Sequence, residues 1–247
     1  MNLLEGKKLN KNFRNRDKEI EALVDVSFSL QEGEILGVVG ESGSGKSTLL
    51  KIISGLIGPD SGELFYKSKE YTGSKPKQAG EFLQYIFQNP KSSFDPRLTF
   101  EKSIVESGRK GIDRNRMLRI IDEVGLEKEL LMRKPNELSG GQCQRMSIAR
   151  ALYSGVSILL CDEITSALDV STQAQIISLL QKLRGKGELS LIFVSHDIAL
   201  VRMLCDSVIV MKDGRSVECG KCEEVIKRPQ HPYTKLLIES AIRQSIV

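Results

Sequence analysis

The sequence predicts an α/β fold: a mainly parallel sheet with flanking helices, an antiparallel β subdomain near the N-terminus and a helical lobe inserted in the middle. Three observations predict it. Four short apolar runs, Ile35–Val39, "YIF" before Gln88, "ILLC" before Asp162 and "LIFV" before Ser195, are uninterrupted and stop at a glycine or a polar residue. Strands of a parallel sheet covered on both faces read this way, and their ligands sit outside the carboxyl ends. The first run enters a glycine-rich stretch that opens a helix, the order strand, loop, helix. Between about 91 and 153 the pattern changes: Pro90, Pro96 and Pro135 punctuate charge and helix formers such as "RNRMLRIIDEVGL".

The elements follow in order. "VDVSFSLQEGEILGVVG" alternates apolar and polar residues, turns at Glu32 and Gly33, and continues as the strand Ile35–Val39. "KSTLLKIISGL" then carries Leu49, Leu50, Ile53 and Leu56 near helical spacing, with Gly58 and Pro59 as the expected stop. Residues 67–78, "KSKEYTGSKPKQ", read as a solvated loop, and residues 171–184 as a core-packing helix with Ile176, Leu180 and Leu183 on one stripe. The expected organisation of residues 1–247 is one domain. Residues 1–90 and 154–220 form the core with its β subdomain, 91–153 the inserted lobe and 221–247 a helical tail.

Bulk properties exclude several classes. The 247 residues can bury a substantial core. The balance of 36 basic and 32 acidic side chains leaves +4, too weak a bias to imply nucleic acid. Aromatics are 5% and Trp is absent, little material for stacking bases. No apolar run approaches the ~18 residues needed to cross a bilayer. "MNLLEGKKLNKNFRNR" lacks the layout of a secretory signal, so a cytoplasmic location is expected. Five scattered cysteines fit reduced thiols. The lone "CGKC" of Cys219 and Cys222 has no second pair or histidine at zinc-ligand spacing and reads as a turn.

The chemistry begins at "GESGSGKST". Gly40, Glu41, Ser42, Gly43, Ser44, Gly45, Lys46 and Ser47 match G-x-x-x-x-G-K-[ST] in full, with Thr48 next. The glycines let backbone N–H groups wrap a phosphate, Lys46 adds a point charge for the outer phosphates, and Ser47 offers a hydroxyl to Mg²⁺. At the end of "ILLCDE", Asp162 is placed for the magnesium shell and Glu163 for a base acting on water. Together the two motifs are the expected halves of a P-loop nucleoside triphosphatase site. Gln88 and His196, at the ends of two other strands, converge on the same crevice. His196 taken alone reads more often as a satisfied structural histidine, and gains a functional reading only with the other strand ends.

A second helix start, "LSGGQCQRMSIAR", has two glycines and no acidic residue in its first turn. Helix N-termini attract negative charge, which leaves open what this one receives. The ordered set "GESGSGKST", Gln88, "LSGGQ", "ILLCDE", "SALD" and His196 resembles the ATP-binding subunit of ABC transporters over nearly the whole chain. The resemblance implies head-to-tail pairing, in which ATP on one P-loop is capped by Ser139, Gly140, Gly141 and Gln142 of the other subunit. It also implies that Phe13 stacks on adenine, a core role being the alternative. Gln88 would sense Mg²⁺ and the attacking water, His196 would contact the γ-phosphate, and Asp169 would lie across the dimer interface. The expected cofactors are ATP and Mg²⁺. The expected partners are membrane permeases, an external solute-binding protein acting indirectly, and a second ATP-binding subunit, as a heterodimer or, alternatively, a homodimer. The chain would then work as a peripheral subunit at the cytoplasmic face of the membrane, without nucleic acid.

Within that family, "FQNPKSSFDPRLT" and "HPYTKLL" at 231–237 resemble the branch importing oligopeptides, dipeptides, nickel and metal chelates. The end of the chain soon after "HPYTKLL" leans towards the nickel or metallophore members. His231 itself reads as a turn residue. Ile164, where the family usually has proline, and Cys143, where Arg or another polar residue is more frequent, are departures. Two other readings stay open: an ABC-type ATPase of a soluble assembly such as the phosphonate carbon–phosphorus lyase system, and, less favoured, one acting on DNA or ribosomes.

Overall fold

The computed structural model describes residues 2–15, 18–71, 76–108, 111–185, 187 and 189–244. Two long strands, β1 (Asn2–Asn15) and β2 (Lys18–Gln31), precede β3 (Ile35–Val39) and α1 (Lys46–Ile53). β4 (Ser61–Tyr66), β5 (Lys69–Tyr71), the single turn α2 (Pro76–Ala79) and β6 (Leu83–Ile86) follow. A helical stretch comes next: a 3₁₀ turn at Pro90–Ser93, α3 (Phe100–Ser107), α4 (Arg114–Glu123), two further 3₁₀ turns and α5 (Gly140–Ser154). The chain then alternates through β7 (Ile158–Asp162), α6 (Val170–Arg184), β8 (Ser190–Val194), α7 (Ile198–Leu204) and β9 (Ser207–Lys212). It closes with β10 (Arg215–Lys221), α8 (Cys222–Lys227) and α9 (Pro232–Gln244).

Among the described residues two sheets form. The antiparallel one has the order β2-β1-β4-β5, the other the order β10-β9-β3-β8-β7-β6. In the second, all neighbours from β9 to β6 are parallel and only β10 runs back. Register aligns the strand ends: Val38 lies beside Val194, Val194 beside Asp162, and Cys161 beside Ile86. Whatever follows these strands is delivered to one edge.

The uninterrupted apolar runs now have a reason. Successive strand residues face opposite sides of a sheet. Leu159, Cys161, Leu191 and Phe193 enter one apolar cluster with α3 to α7, while Ile158, Leu160, Ile192 and Val194 enter a second one with α1 and the antiparallel sheet. A polar residue inside any of these strands would be buried whichever way it pointed.

Some expectations need correction. The helix after the glycine-rich loop stops at Ile53, not at Gly58, because Gly55 takes a left-handed φ of 73°. Leu56 therefore leaves the apolar stripe and is 48% exposed. Residues 67–78 are not a plain loop: they hold the turn into β5, β5 itself and the start of α2, with 72–75 outside the described residues. The two departures from the family pattern are both absorbed by the core. Ile164 is buried, and Cys143 is buried with its thiol donating to the Pro135 carbonyl at 3.4 Å.

Candidate functional site

The loop between β3 and α1 is shaped by glycines at positions no other residue fills easily. Gly40 has φ 151° and Gly45 φ 102°. A Cβ on Gly45 would lie 2.5 Å from the Ala22 carbonyl oxygen, and one on Gly40 would meet the Met211 carbonyl oxygen. No side chain caps α1, and its first turn has no acid. The amides at this helix start are thus left for an anion.

Lys46 is the buried cation of this loop. Its Nζ donates to the Gly40 carbonyl at 2.8 Å, the Glu41 carbonyl at 2.7 Å and Ser44 Oγ at 3.3 Å. Burial holds the ammonium below the ordinary lysine value, while the carboxylates of Glu163, Asp162 and Glu41 work against that shift. Ser47 Oγ donates to Asp162 Oδ1 at 3.3 Å, which ties the start of α1 to the end of β7. Tyr85 on β6 donates to the other oxygen, Asp162 Oδ2, at 2.5 Å. Burial raises the Tyr85 phenol far above its usual range, and the bond to Asp162 adds to this. The hydroxyl therefore stays a donor and fixes the carboxylate's rotamer.

Glu163 follows Asp162 with φ 48°, a left-handed backbone that a non-glycine residue rarely adopts. The bend turns its carboxylate to the crevice. Gln88 Nε2 donates to Glu163 Oε2 at 3.3 Å and to Ser166 Oγ at 3.0 Å, and His196 Nδ1 stands 3.8 Å from the same Glu163 oxygen. His196 is mostly exposed, not the satisfied core histidine that was its alternative reading. The structure thus brings Lys46, Ser47, Asp162, Glu163, Gln88 and His196 to one strand edge.

Residues 139–142 stand apart from that cluster: among the described residues, no hydrogen bond or ion pair in the structure joins them to it. Ser139 caps α5. Its Oγ accepts from Gln142 N at 3.2 Å, and Gln142 Oε1 accepts from Ser139 N at 3.0 Å, a reciprocal capping box. Cys143 N is bonded to the Ser139 carbonyl. The Gly140 and Gly141 amides remain without a partner inside the helix, so an anion here would meet two N–H groups and the Ser139 hydroxyl. Ser139, Gly141 and Gln142 border a cleft of about 290 Å³ shared with Thr172 and Gln175 of α6. Asp169 caps α6, accepting from Thr172 N at 2.9 Å and Thr172 Oγ1 at 2.7 Å. Phe13 on β1 is 41% exposed, with Lys11 Nζ 5.8 Å from its ring centre, and so is no core residue.

Three residues of the site escaped sequence reasoning. Tyr85 had a signal: a hydroxyl within a buried strand needs a partner, and the neighbouring strand ends in an acid. Ser166 closes the turn from Glu163 by donating to the Glu163 carbonyl at 2.9 Å. Tyr233 on α9, whose hydroxyl accepts from Glu41 N at 3.0 Å, comes from 192 positions away and had none.

Comparison with known proteins adds the family. The model of the ABC transporter family matches residues 23–166, and that of the oligopeptide/dipeptide transporter C-terminal region matches residues 217–245. The oligopeptide transport ATP-binding protein OppF of Escherichia coli is 44% identical over 233 residues, 90% of this chain and 70% of the relative. OppF of Haemophilus influenzae is 42% identical over 238 residues, 92% of this chain and 72% of the relative. Among solved structures, the dimeric post-hydrolysis ATP-binding cassette MJ0796 bound to ADP and Pi is similar with a TM-score of 0.79 and 32% identity, covering 89% of this chain and 98% of that one.

Proposed function

This chain belongs to the ABC transporter family and is one of its ATPases, and from that premise we propose that it powers the import of oligopeptides through a membrane permease. The observation that carries the cargo class is the match of residues 217–245 to the oligopeptide/dipeptide transporter C-terminal region, joined by relatives named for oligopeptide transport. These relatives favour an importer over an ATPase of a soluble assembly, and peptide over nickel or metal-chelate cargo. Among the described residues no helix is long and apolar enough to cross a membrane, so on this reading the passage lies in separate permease subunits and the ATPase docks at their cytoplasmic face.

In the proposed mechanism ATP binds on Gly40–Thr48, its phosphates held by loop amides and Lys46, with Phe13 against the adenine. Ser47 Oγ and Asp162 Oδ1, hard oxygen donors 3.3 Å apart, suit Mg²⁺, with Gln88 held on the neighbouring Glu163. The ion, when bound, would neutralise phosphate charge. Glu163 takes a proton from water as the water oxygen bonds to the γ-phosphorus and the bond to the ADP oxygen breaks. Gln88 and His196, both against the Glu163 carboxylate, orient it, Gln88 serving the Mg²⁺ and the attacking water and His196 the γ-phosphate. Ser139, Gly140, Gly141 and Gln142 of a second subunit complete the site. Their separation from the cluster in one chain supports that assignment. The same reading divides the chain into the core of 1–90 and 154–220, a lobe of 91–153 that takes the closing motion to the permease, and a tail of 221–247.

The test is uptake in cells whose only copy carries Glu163→Gln. Uptake of a labelled tetrapeptide should be lost and labelled nickel uptake unchanged. Loss of nickel uptake with peptide uptake intact would contradict the cargo. Co-purification with soluble enzymes in place of hydrophobic permeases would contradict the importer.

A further inference from the structure

The C-terminal tail reaches into the phosphate loop. Tyr233, on the first turn of α9, is buried, and its hydroxyl oxygen accepts from the Glu41 N–H at 3.0 Å. That N–H shares a planar peptide unit with the Gly40 carbonyl, which accepts from Lys46 Nζ at 2.8 Å. One rigid group is therefore gripped at both ends, by Tyr233 on its N–H side and by Lys46 on its C=O side.

Tyr233 is itself held firmly. Lys212 at the end of β9 lies with Nζ 4.9 Å from its ring centre. The turn before it is pinned by Glu218 of β10, whose two oxygens accept from Gln230 N at 2.8 Å and His231 N at 3.0 Å. Tyr233 N in turn donates to His231 Nδ1 at 3.2 Å. These bonds hold the turn that carries the ring to Glu41, and His231 takes part in that turn.

We propose that Tyr233 is a positioning residue for the nucleotide site: it fixes the Gly40–Glu41 peptide that sets where Lys46 rests, and so makes triphosphate affinity depend on the seating of the tail. The inference rests on the reading of Gly40–Thr48 as an ATP cradle. Gly40 sits at φ 151° with the Met211 carbonyl oxygen where a side chain would lie, so only glycine carries this peptide. When the hydroxyl is removed, the Gly40–Glu41 peptide loses one of its two holds, and the lysine keeps the Glu41 carbonyl and Ser44 Oγ but loses one oriented acceptor.

The experiment uses the full chain and Tyr233→Phe, which keeps the ring and its contact with Lys212. ATP titrations with Mg²⁺ are run on wild type, Tyr233→Phe, Lys46→Ala and the double variant, with melting temperature and the amide resonance of Glu41 recorded for each. Tyr233→Phe should weaken ATP binding about three- to tenfold, the worth of one hydrogen bond, and shift the Glu41 amide. In the Lys46→Ala background the same change should add little, since the effect runs through that lysine. Unchanged ATP affinity in Tyr233→Phe, or an equal loss in both backgrounds, overturns the inference while wild type still binds ATP. Wild type that fails to bind ATP overturns the cradle reading and this inference with it.

Discussion

Glu163 has an unusual backbone and two partners on one oxygen, Gln88 at 3.3 Å and His196 at 3.8 Å, which leaves its other oxygen for water. Replacement by Gln keeps size and hydrogen-bonding capacity but removes the basic site. We expect Glu163→Gln to bind ATP with near-normal affinity and to turn over about 10²- to 10⁴-fold more slowly, the usual worth of general-base assistance, measured as phosphate release at saturating ATP. Near-normal turnover would assign the base elsewhere. The cysteines allow a second prediction at this scale. Cys143, Cys161, Cys205 and Cys222 are buried, and burial raises each thiol above its ordinary value, whereas Cys219 is exposed. Thiolate is the reactive form. Iodoacetamide on the native protein should modify Cys219 alone, read by peptide mass. The "CGKC" pair is thus split: Cys222 points inward and donates to the Val201 carbonyl at 3.6 Å, while its neighbour in the motif faces solvent.

The meeting of α5 and α6 decides how the second anion site is presented. Gly141 lies so close to α6 that an added Cβ would fall 2.5 Å from Thr172 Cγ2. Thr172 cannot simply rotate away, since its Oγ1 donates to the capping Asp169 carboxylate at 2.7 Å. Gly141→Ala should therefore destabilise the protein by about 1–3 kcal/mol, the ordinary cost of overpacking. Thr172→Ser, which deletes the offending methyl and keeps the hydroxyl, should restore most of it in the double variant, measured by urea denaturation. Equal losses in the single and double variants would show that the contact is not the cause. The glycines of "LSGGQ" were legible as room for a ligand. Their second duty, room for a helix, was not, because Thr172 is 31 positions along the chain. Three of the four strand ends were legible, since burial on both faces leaves an apolar run that stops at a polar residue or glycine. The fourth, "YIF", reads one residue too long, because β6 ends at Ile86 and Phe87 is exposed. The end of α1 was misread for a local reason: the leucine pattern ran past Gly55, and the backbone at that glycine overrode it.

For the whole molecule, the expected cradle rests on one continuous motif in its strand-to-helix setting. The missing acid at the second helix start only raises the question of an anion, and that helix start's role as a lid comes from the family resemblance. What sequence spacing could not supply was that the tail bonds the loop through Tyr233. On the proposed reading, two helix starts, one beside the catalytic cluster and one bordering a separate cleft, make the chain two halves of different sites. That division is the central claim, and it makes hydrolysis a property of a pair. The measurement that tests it most directly is ATP turnover per chain as a function of concentration, with the oligomeric state followed by sedimentation, first alone and then titrated with a second ATP-binding subunit. Turnover near zero in the dilute monomer, rising and saturating as pairs form, is the predicted result. A verified monomer that hydrolyses ATP at the full rate of the assembled pair would contradict it.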